Sequence, residues 1–207
     1  VRGAGKLGKI QVIGFDEDDA TLQAIKDGHC YGTIVQNPYR YGYDSVKLLA
    51  EMAQNKPYEL PESKFLDIPA RAIKRDDVDS FWTELKRLTA TNEAPKSDAS
   101  APAPAAKTKA PAGPPVKLAF VTNNASDFWK IAEAGVRKGE KEFNAECEMQ
   151  LPANGTADDQ QQIIEALMSR GVAGMAISPN DAENQVDIIN RAAEVMAVIT
   201  HDSDAPK

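Results

Sequence analysis

The sequence predicts an α/β chain built on parallel sheets. Three observations carry this. Short apolar runs alternate with segments of helical period along almost the whole chain. The helical segments carry capping residues and stop signals at their ends. The strands are separated by single helices, so joining them side by side requires crossovers, and crossovers make neighbouring strands parallel.

The elements are clearest in residues 116–207. "VKLAFVT" (116–122) is a β-rich run. "SDFWKIAEAGVRKGEKEF" follows, with Ser126 placed to cap a helix and with Trp129, Ala132, Val136, Gly139 and Phe143 on one face. "CEMQL" is a second strand. "TADDQQQIIEALMSRG" is a helix with Asp158 and Asp159 in its first turn and Gly171 just past its end. "VAGMAIS" is a third strand, "NDAENQVDIINRAAE" a third helix, and "MAVIT" a fourth strand.

Residues 1–89 follow the same scheme. "IQVIGF" (10–15) is a strand, "DDATLQAIKDG" a short helix stopped by Gly28, and "YGTIVQ" (31–36) a strand. "NPYRYGYDSVKLLAEMAQN" reads as a helix opened by Pro38, with Val46, Leu49, Ala50 and Ala53 on one face. "KFLDIPARAIK" reads as a broken strand and "DDVDSFWTELKRL" as a closing helix. Residues 116–200, with the helix after Pro38, are expected to form one lobe with a parallel sheet. Its sheet runs in strand order 2-1-3-4 with one further strand.

Between the blocks, residues 90–115 contain no Val, Leu, Ile, Met or aromatic residue. Alanine and proline dominate there. Such a segment cannot bury enough apolar surface to offset its ordering entropy, so it is expected to be a linker open to proteases. The domain reading is therefore 1–89, linker 90–115, and 116–207.

Composition narrows the function. The 207 residues are 42% hydrophobic and 27% charged, which suits soluble globular domains. A net charge of -7 without a basic stripe argues against nucleic acid and anionic membrane surfaces as partners. No apolar run is long enough to span a bilayer, and no signal peptide stands at Val1. The two cysteines, Cys30 and Cys147, read as separate buried thiols in preference to a long-range disulfide. No cluster has metal-ligand spacing, and no cofactor is expected.

Two motif matches carry little weight. Gly3-Ala4-Gly5-Lys6-Leu7-Gly8 fits G-x-G-x-x-G, but a strand follows it where a dinucleotide site needs a helix, so a turn is expected. Asn154-Gly155-Thr156 fits a glycosylation sequon and is better read as a turn.

Four strands end in polar or aromatic groups. "LAFV" leads into Thr122, Asn123, Asn124, Ser126, Phe128 and Trp129. "GMAI" leads into Ser178, Asn180 and Asp181, "AVIT" into His201, Asp202 and Ser203, and "VIGF" into Asp16, Glu17 and Asp18. Open α/β sheets bind ligands beyond the carboxyl ends of their strands. Carboxylates there accept hydroxyl hydrogen bonds, and aromatic rings cover the apolar face of a sugar. Acids and rings, without a metal cluster or a nucleophile–base pair, suit a neutral polyol better than a phosphate. Asp18, Asp19, Asp127 and Asp181 read as helix-start acids, and Trp129 also fits a core position. Asp16 and Asp202, each directly after an apolar strand, are the preferred ligand carboxylates.

These residues resemble the ribose-binding type of periplasmic sugar-binding proteins, the receptors of ABC sugar importers. "KLAFVTNNASDFWKIAEAG", "GMAISPNDAE" and "AVITHDSDA" are similar to the family's first strand and helix, third strand, and fourth strand with its ligand aspartate. "KIQVIGFDEDDATLQAIKDGHCYGTIVQNPYRYG" is similar to its late strand–helix–strand unit ending in the hinge glutamine. The resemblance implies a Rossmann-like lobe of the type 1 periplasmic binding fold and capture of a monosaccharide for delivery to a membrane permease. It implies ligand contacts from Thr122, Ser126, Phe128, Trp129, Ser178 and Asp202 on one lobe, Asp16 on the other, and Gln36 at the hinge. It also implies a periplasmic or cell-envelope location, with lipid anchoring as one form.

The order is rotated relative to the family. What resembles the family's beginning comes second here, and what resembles its end comes first. The resemblance leaves most of the second lobe without a counterpart, which a second chain could supply. A permuted protein, a window on a tandem fusion and a fragment all produce this order. Ser203 stands where many members place an arginine, and Ser126 and Ser178 where asparagine is common, so the sugar stays open. A sugar-responsive regulator shares the fold but would need a basic helix-turn-helix before Val116, where the Ala/Pro tether stands instead. An α/β enzyme is the third class. It lacks a nucleophile paired with a base, and His201 beside Asp202 does not supply one.

Overall fold

The computed structural model describes residues 3, 5–6, 9–90 and 113–205. Most of the 90–115 tether lies outside the described residues, as do Ala4, Leu7 and Gly8 of the glycine motif. The chain divides into two compact units. The first comprises Val1–Asn37 and Asp67–Asn92, the second Pro38–Leu66 and Glu93–Lys207. The division thus differs from the 1–89 block read from sequence, because the helix opened by Pro38 falls in the second unit.

The first unit holds β1 (Ile13–Phe15), α1 (Asp19–Lys26), β2 (Gly32–Val35), β3 (Arg71–Lys74) and α3 (Val78–Ala90). Asp18 caps α1 by accepting from the Thr21 N–H, and Gly28 leaves the helix end at φ 75°. β1 and β2 pair in parallel. β3 pairs antiparallel to β2, Val35 opposite Arg71, so the all-parallel expectation does not extend to this strand. Its apolar core is Leu22, Ile25, Cys30, Val35, Ile73 and Val78.

The second unit holds α2 (Pro38–Ala53), β4 (Val116–Val121), α4 (Asp127–Phe143), β5 (Ala145–Gln150), α5 (Ala157–Arg170), β6 (Gly174–Ile177), α6 (Val186–Ala193) and β7 (Ala197–Thr200). Its sheet is parallel throughout, in the order β5-β4-β6-β7. That is the predicted 2-1-3-4 order. The further strand expected beside it is not among the described residues, since the sheet has four.

Side chains alternate across this sheet. Leu118, Phe120, Cys147 and Ala176 face a core shared with Val46, Leu49 and Ala50 of α2 and Trp129, Ala132 and Val136 of α4. Ala119, Val121, Met175 and Ile177 face Ile164 and Leu167 of α5 and Ile188, Ile189 and Ala192 of α6. β4 and β6 are therefore covered on both faces, which is why they read as unbroken apolar runs. Thr156 caps α5 through the Asp159 N–H, and Gly171 ends it at φ 64°. Cys30 and Cys147 are free and buried.

Candidate functional site

The carboxyl ends of β4, β6 and β7 lie side by side, and the ladder sets their heights. Val121 pairs with Ile177 and Ile177 with Thr200. The residues one or two places beyond are Thr122, Ser178 and Asp202. Asp202 is exposed and stands at φ 62°. The Ser203 N–H donates to the His201 carbonyl at 2.7 Å, closing a three-residue γ-turn around Asp202.

The Asp202 carboxylate is held from two sides. The Ser178 hydroxyl donates to Oδ2 at 3.1 Å, and the Asn123 amide nitrogen lies 3.5 Å from the same oxygen. Asn123 is itself oriented, because its Oδ1 accepts from the Trp129 indole N–H at 3.1 Å. Ser178 is fully buried. Thr122 is also fully buried, and its hydroxyl donates to the Asn124 carbonyl at 2.7 Å.

The two aromatic residues differ in setting. Phe128 is half-buried, and its ring stands edge-on to Trp129 at 4.9 Å. Trp129 is 2% exposed and packs in the core against Phe120 and His201, so it reaches the rim through Asn123. Ser126 is exposed at the start of α4, and its hydroxyl makes no cap hydrogen bond. Of the acids read as helix-start residues, Asp127 stands in the first turn of α4 and pairs with Lys130 at 2.7 Å. Asp181 does not start a helix, because α6 begins only at Val186; it accepts from the Asn184 N–H in the turn before it.

The first unit carries Asp16 directly after β1, exposed and at φ 64°. Its N–H donates to the Ile34 carbonyl, and its own carbonyl accepts from the Thr33 hydroxyl at 2.7 Å. Partial desolvation, then the Asp18 carboxylate, raises its pKa above the usual aspartate value. Glu17 is buried with neither carboxylate oxygen hydrogen-bonded. Burial first, then the Asp16 charge, raises its pKa to about 7, against the opposing charge of Arg71. Gln36 is half-buried beyond β2, just before the chain passes into the second unit.

Sequence reasoning missed Gln160, which is fully buried and bonded to both β4 and β6 ends. A signal for it existed. Gln160 shares the buried stripe of α5 with Ile164 and Leu167, and a polar residue on an apolar stripe needs partners. Among the described residues no group of His, Cys, Asp and Glu could hold a metal ion, and no helix is long and apolar enough to cross a membrane.

A four-stranded parallel sheet in this order, with helices on both faces and polar groups gathered at its carboxyl edge, defines a doubly wound α/β lobe. The family model for the periplasmic binding protein domain matches residues 1–57 and 118–207, and the chain belongs to that family. The tether lies within the unmatched stretch between the two. No curated protein matched. Among solved structures, an ABC transporter solute-binding protein from Burkholderia graminis in complex with D-arabinose is 31% identical, with a TM-score of 0.43, covering 45% of this chain and 33% of that one. A carbohydrate transporter solute-binding protein from Agrobacterium radiobacter, also with D-arabinose, is 25% identical, with a TM-score of 0.42, covering 44% and 32%. One from Clostridium phytofermentas with L-rhamnose is 25% identical, with a TM-score of 0.41, covering 44% and 29%. This chain spans about a third of the length of these structures.

Proposed function

We propose that this protein is a binding module that captures a neutral monosaccharide for ABC-type import, working outside the cytoplasm with a membrane permease as its partner. A second chain that completes the lobe, and a lipid anchor, belong to the same reading. The observation that carries it is the Asp202 carboxylate, presented at the end of β7 by a γ-turn and gripped by Ser178 and Asn123. A carboxylate oriented in this way accepts sugar hydroxyls without reorganising. Phe128, half-buried at the same edge, supplies an apolar ring face. Asp16 and Gln36 supply the first unit's polar contacts, and Thr122, Ser126 and Trp129 support the second unit's. Family membership agrees with binding and no catalysis.

The test is calorimetric titration of the full-length protein with a panel of neutral pentoses and hexoses, on wild type and Asp202→Asn. A hydrogen bond to a charged group contributes roughly 1.5–3 kcal/mol. Asp202→Asn is therefore expected to weaken binding about tenfold or more. Phe128→Ala is expected to weaken it through lost stacking area. Failure to bind any sugar, or equal affinity in Asp202→Asn, overturns the assignment.

A further inference from the structure

We infer that Gln160 is the positioning residue of this rim: its buried side-chain amide clamps the ends of β4 and β6 and so sets Ser178 and Asn123 against Asp202. The inference rests on the sugar-binding reading for what the rim does, though the clamp itself stands on geometry alone.

A primary amide offers two N–H donors and an oxygen with two lone pairs. Gln160 uses all four. Nε2 donates to the Thr122 carbonyl at 2.8 Å and to the Ser178 carbonyl at 2.7 Å. Oε1 accepts from the Asn180 N–H at 2.9 Å and from the Gln185 side-chain amide at 3.0 Å. Gln185 then accepts from the Asp181 N–H at 2.9 Å. The orientation of the amide is not arbitrary. Two of its partners are backbone carbonyls, which only accept, and one is a backbone N–H, which only donates, so a flipped amide would lose three bonds.

The position of the clamp gives it its role. The β4–β6 ladder ends with the Ser178 N–H donating to the Val121 carbonyl. One step further the two strands must part to release their loops. Gln160 supplies the missing rung there, joining Thr122 to Ser178 through its Nε2. Ser178 and Asn123, which reach Asp202, depend on that rung. Ser178 is held directly, and Asn123 follows Thr122 in the chain. The clamp thus acts on the ligand carboxylate at two removes, without touching it.

Three readouts test this on the full-length protein with Gln160→Met and Gln160→Glu. The first is amide hydrogen exchange at Asn180 and Asp181, with Phe120 in mid-β4 as the internal reference. The second is the carboxyl-carbon chemical shift of Asp202, which needs no ligand. The third is affinity for whichever sugar the wild type binds. Gln160→Met is expected to exchange about tenfold faster at Asn180 and Asp181, to shift the Asp202 carbon, and to bind sugar about tenfold more weakly while folded. Gln160→Glu keeps an acceptor for Asn180, so it is expected to retain protection there while still shifting Asp202; should Gln160→Met not fold, this variant decides. A folded variant with an unmoved Asp202 carbon overturns the inference. So does a folded variant with wild-type affinity, since a purely structural glutamine would lower stability alone. If the wild type binds no sugar, the functional reading fails, and the Asp202 shift still decides the positioning role.

Discussion

His201 carries two ring nitrogens without hydrogen-bond partners, inside an aromatic cluster. Its ring stacks on Phe120 at 4.2 Å, with Trp129 at 5.4 Å and Tyr41 at 6.4 Å. Burial lowers its pKa to about 3, so it is neutral in the fold. An unfolded histidine titrates near 6.5. Below that pH the unfolded chain takes up a proton the native state refuses, and stability falls from pH 6.5 toward 3 by roughly 1.4 kcal/mol per unit. His201→Phe is expected to abolish that slope and to add roughly 1–3 kcal/mol at neutral pH, by removing the unmet polar atoms. Urea unfolding at pH 5 and pH 7.5 on both proteins checks it, and equal slopes would count against it. Glu17 acts in the opposite sense. Its folded pKa of about 7 lies above its unfolded value, so its unit loses stability as pH rises from about 4.5 to 7. Glu17→Gln should flatten that rise-linked loss in hydrogen exchange of α1. At this scale the sequence was a good guide to where groups sit and a poor one to their state. Position after an apolar strand marks Asp16 and Asp202, but their φ values near +63° go with bonds between residues that the pattern does not pair: a γ-turn from His201 to Ser203 at Asp202, and bonds to Ile34 and Thr33 of β2 at Asp16.

Between elements, the contact of α2 with α4 is set by missing side chains. A Cβ on Gly42 would run into the Ala132 carbonyl oxygen, and one on Gly135 into the Tyr39 carbonyl oxygen. A Cβ on Gly139 would stand 2.9 Å from the Val46 Cβ. The two helices touch backbone to backbone, and the Tyr43 hydroxyl donates to Glu142 at the rim of the contact. Gly135→Ala must push the helices apart or bend them. Overpacking of this kind costs roughly 1–3 kcal/mol, sometimes more, against which alanine's better helix propensity returns about 1. The expected result is a net loss in urea unfolding of the second unit; a stability gain would mean the helices separate freely. The sequence placed Gly139 on the buried face of α4 but could not name the partner, which lies across the tether. The same detour explains β3. Parallel pairing follows when a helix returns the chain to the same sheet. Between β2 and β3 the chain instead leaves for the second unit with α2 and comes back, so nothing in the strand–helix alternation dictated the direction of β3.

For the molecule as a whole, that excursion makes the order of the chain and the order of the cores disagree. The tether at 90–115 separates the chain into halves, yet α2 from the first half completes a core of the second. Val46, Leu49 and Ala50 pack with Leu118, Phe120, Ala132 and Val136, and all seven are at most 1% exposed. Composition predicts that proteases cut first within 90–115, where Lys96, Lys107 and Lys109 offer trypsin sites without a core residue nearby in sequence. Cutting there would not free the second half of its dependence on the first. Three fully buried side chains from α2, at roughly 1.5–3 kcal/mol for each large one, together with the glycine contacts, would hold the pieces together. The expected outcome is two bands on a denaturing gel and a single peak by native size exclusion. Expressed alone, residues 116–207 would keep α4 but expose the part of the sheet face and of α4 that α2 covers, and should bind hydrophobic dyes or aggregate, while adding residues 1–89 in trans should restore a soluble complex. Two separate native peaks after the cut would show that α2 is dispensable to the second core. A first cut elsewhere, in 54–70 for example, would show that composition misjudged where the chain is open.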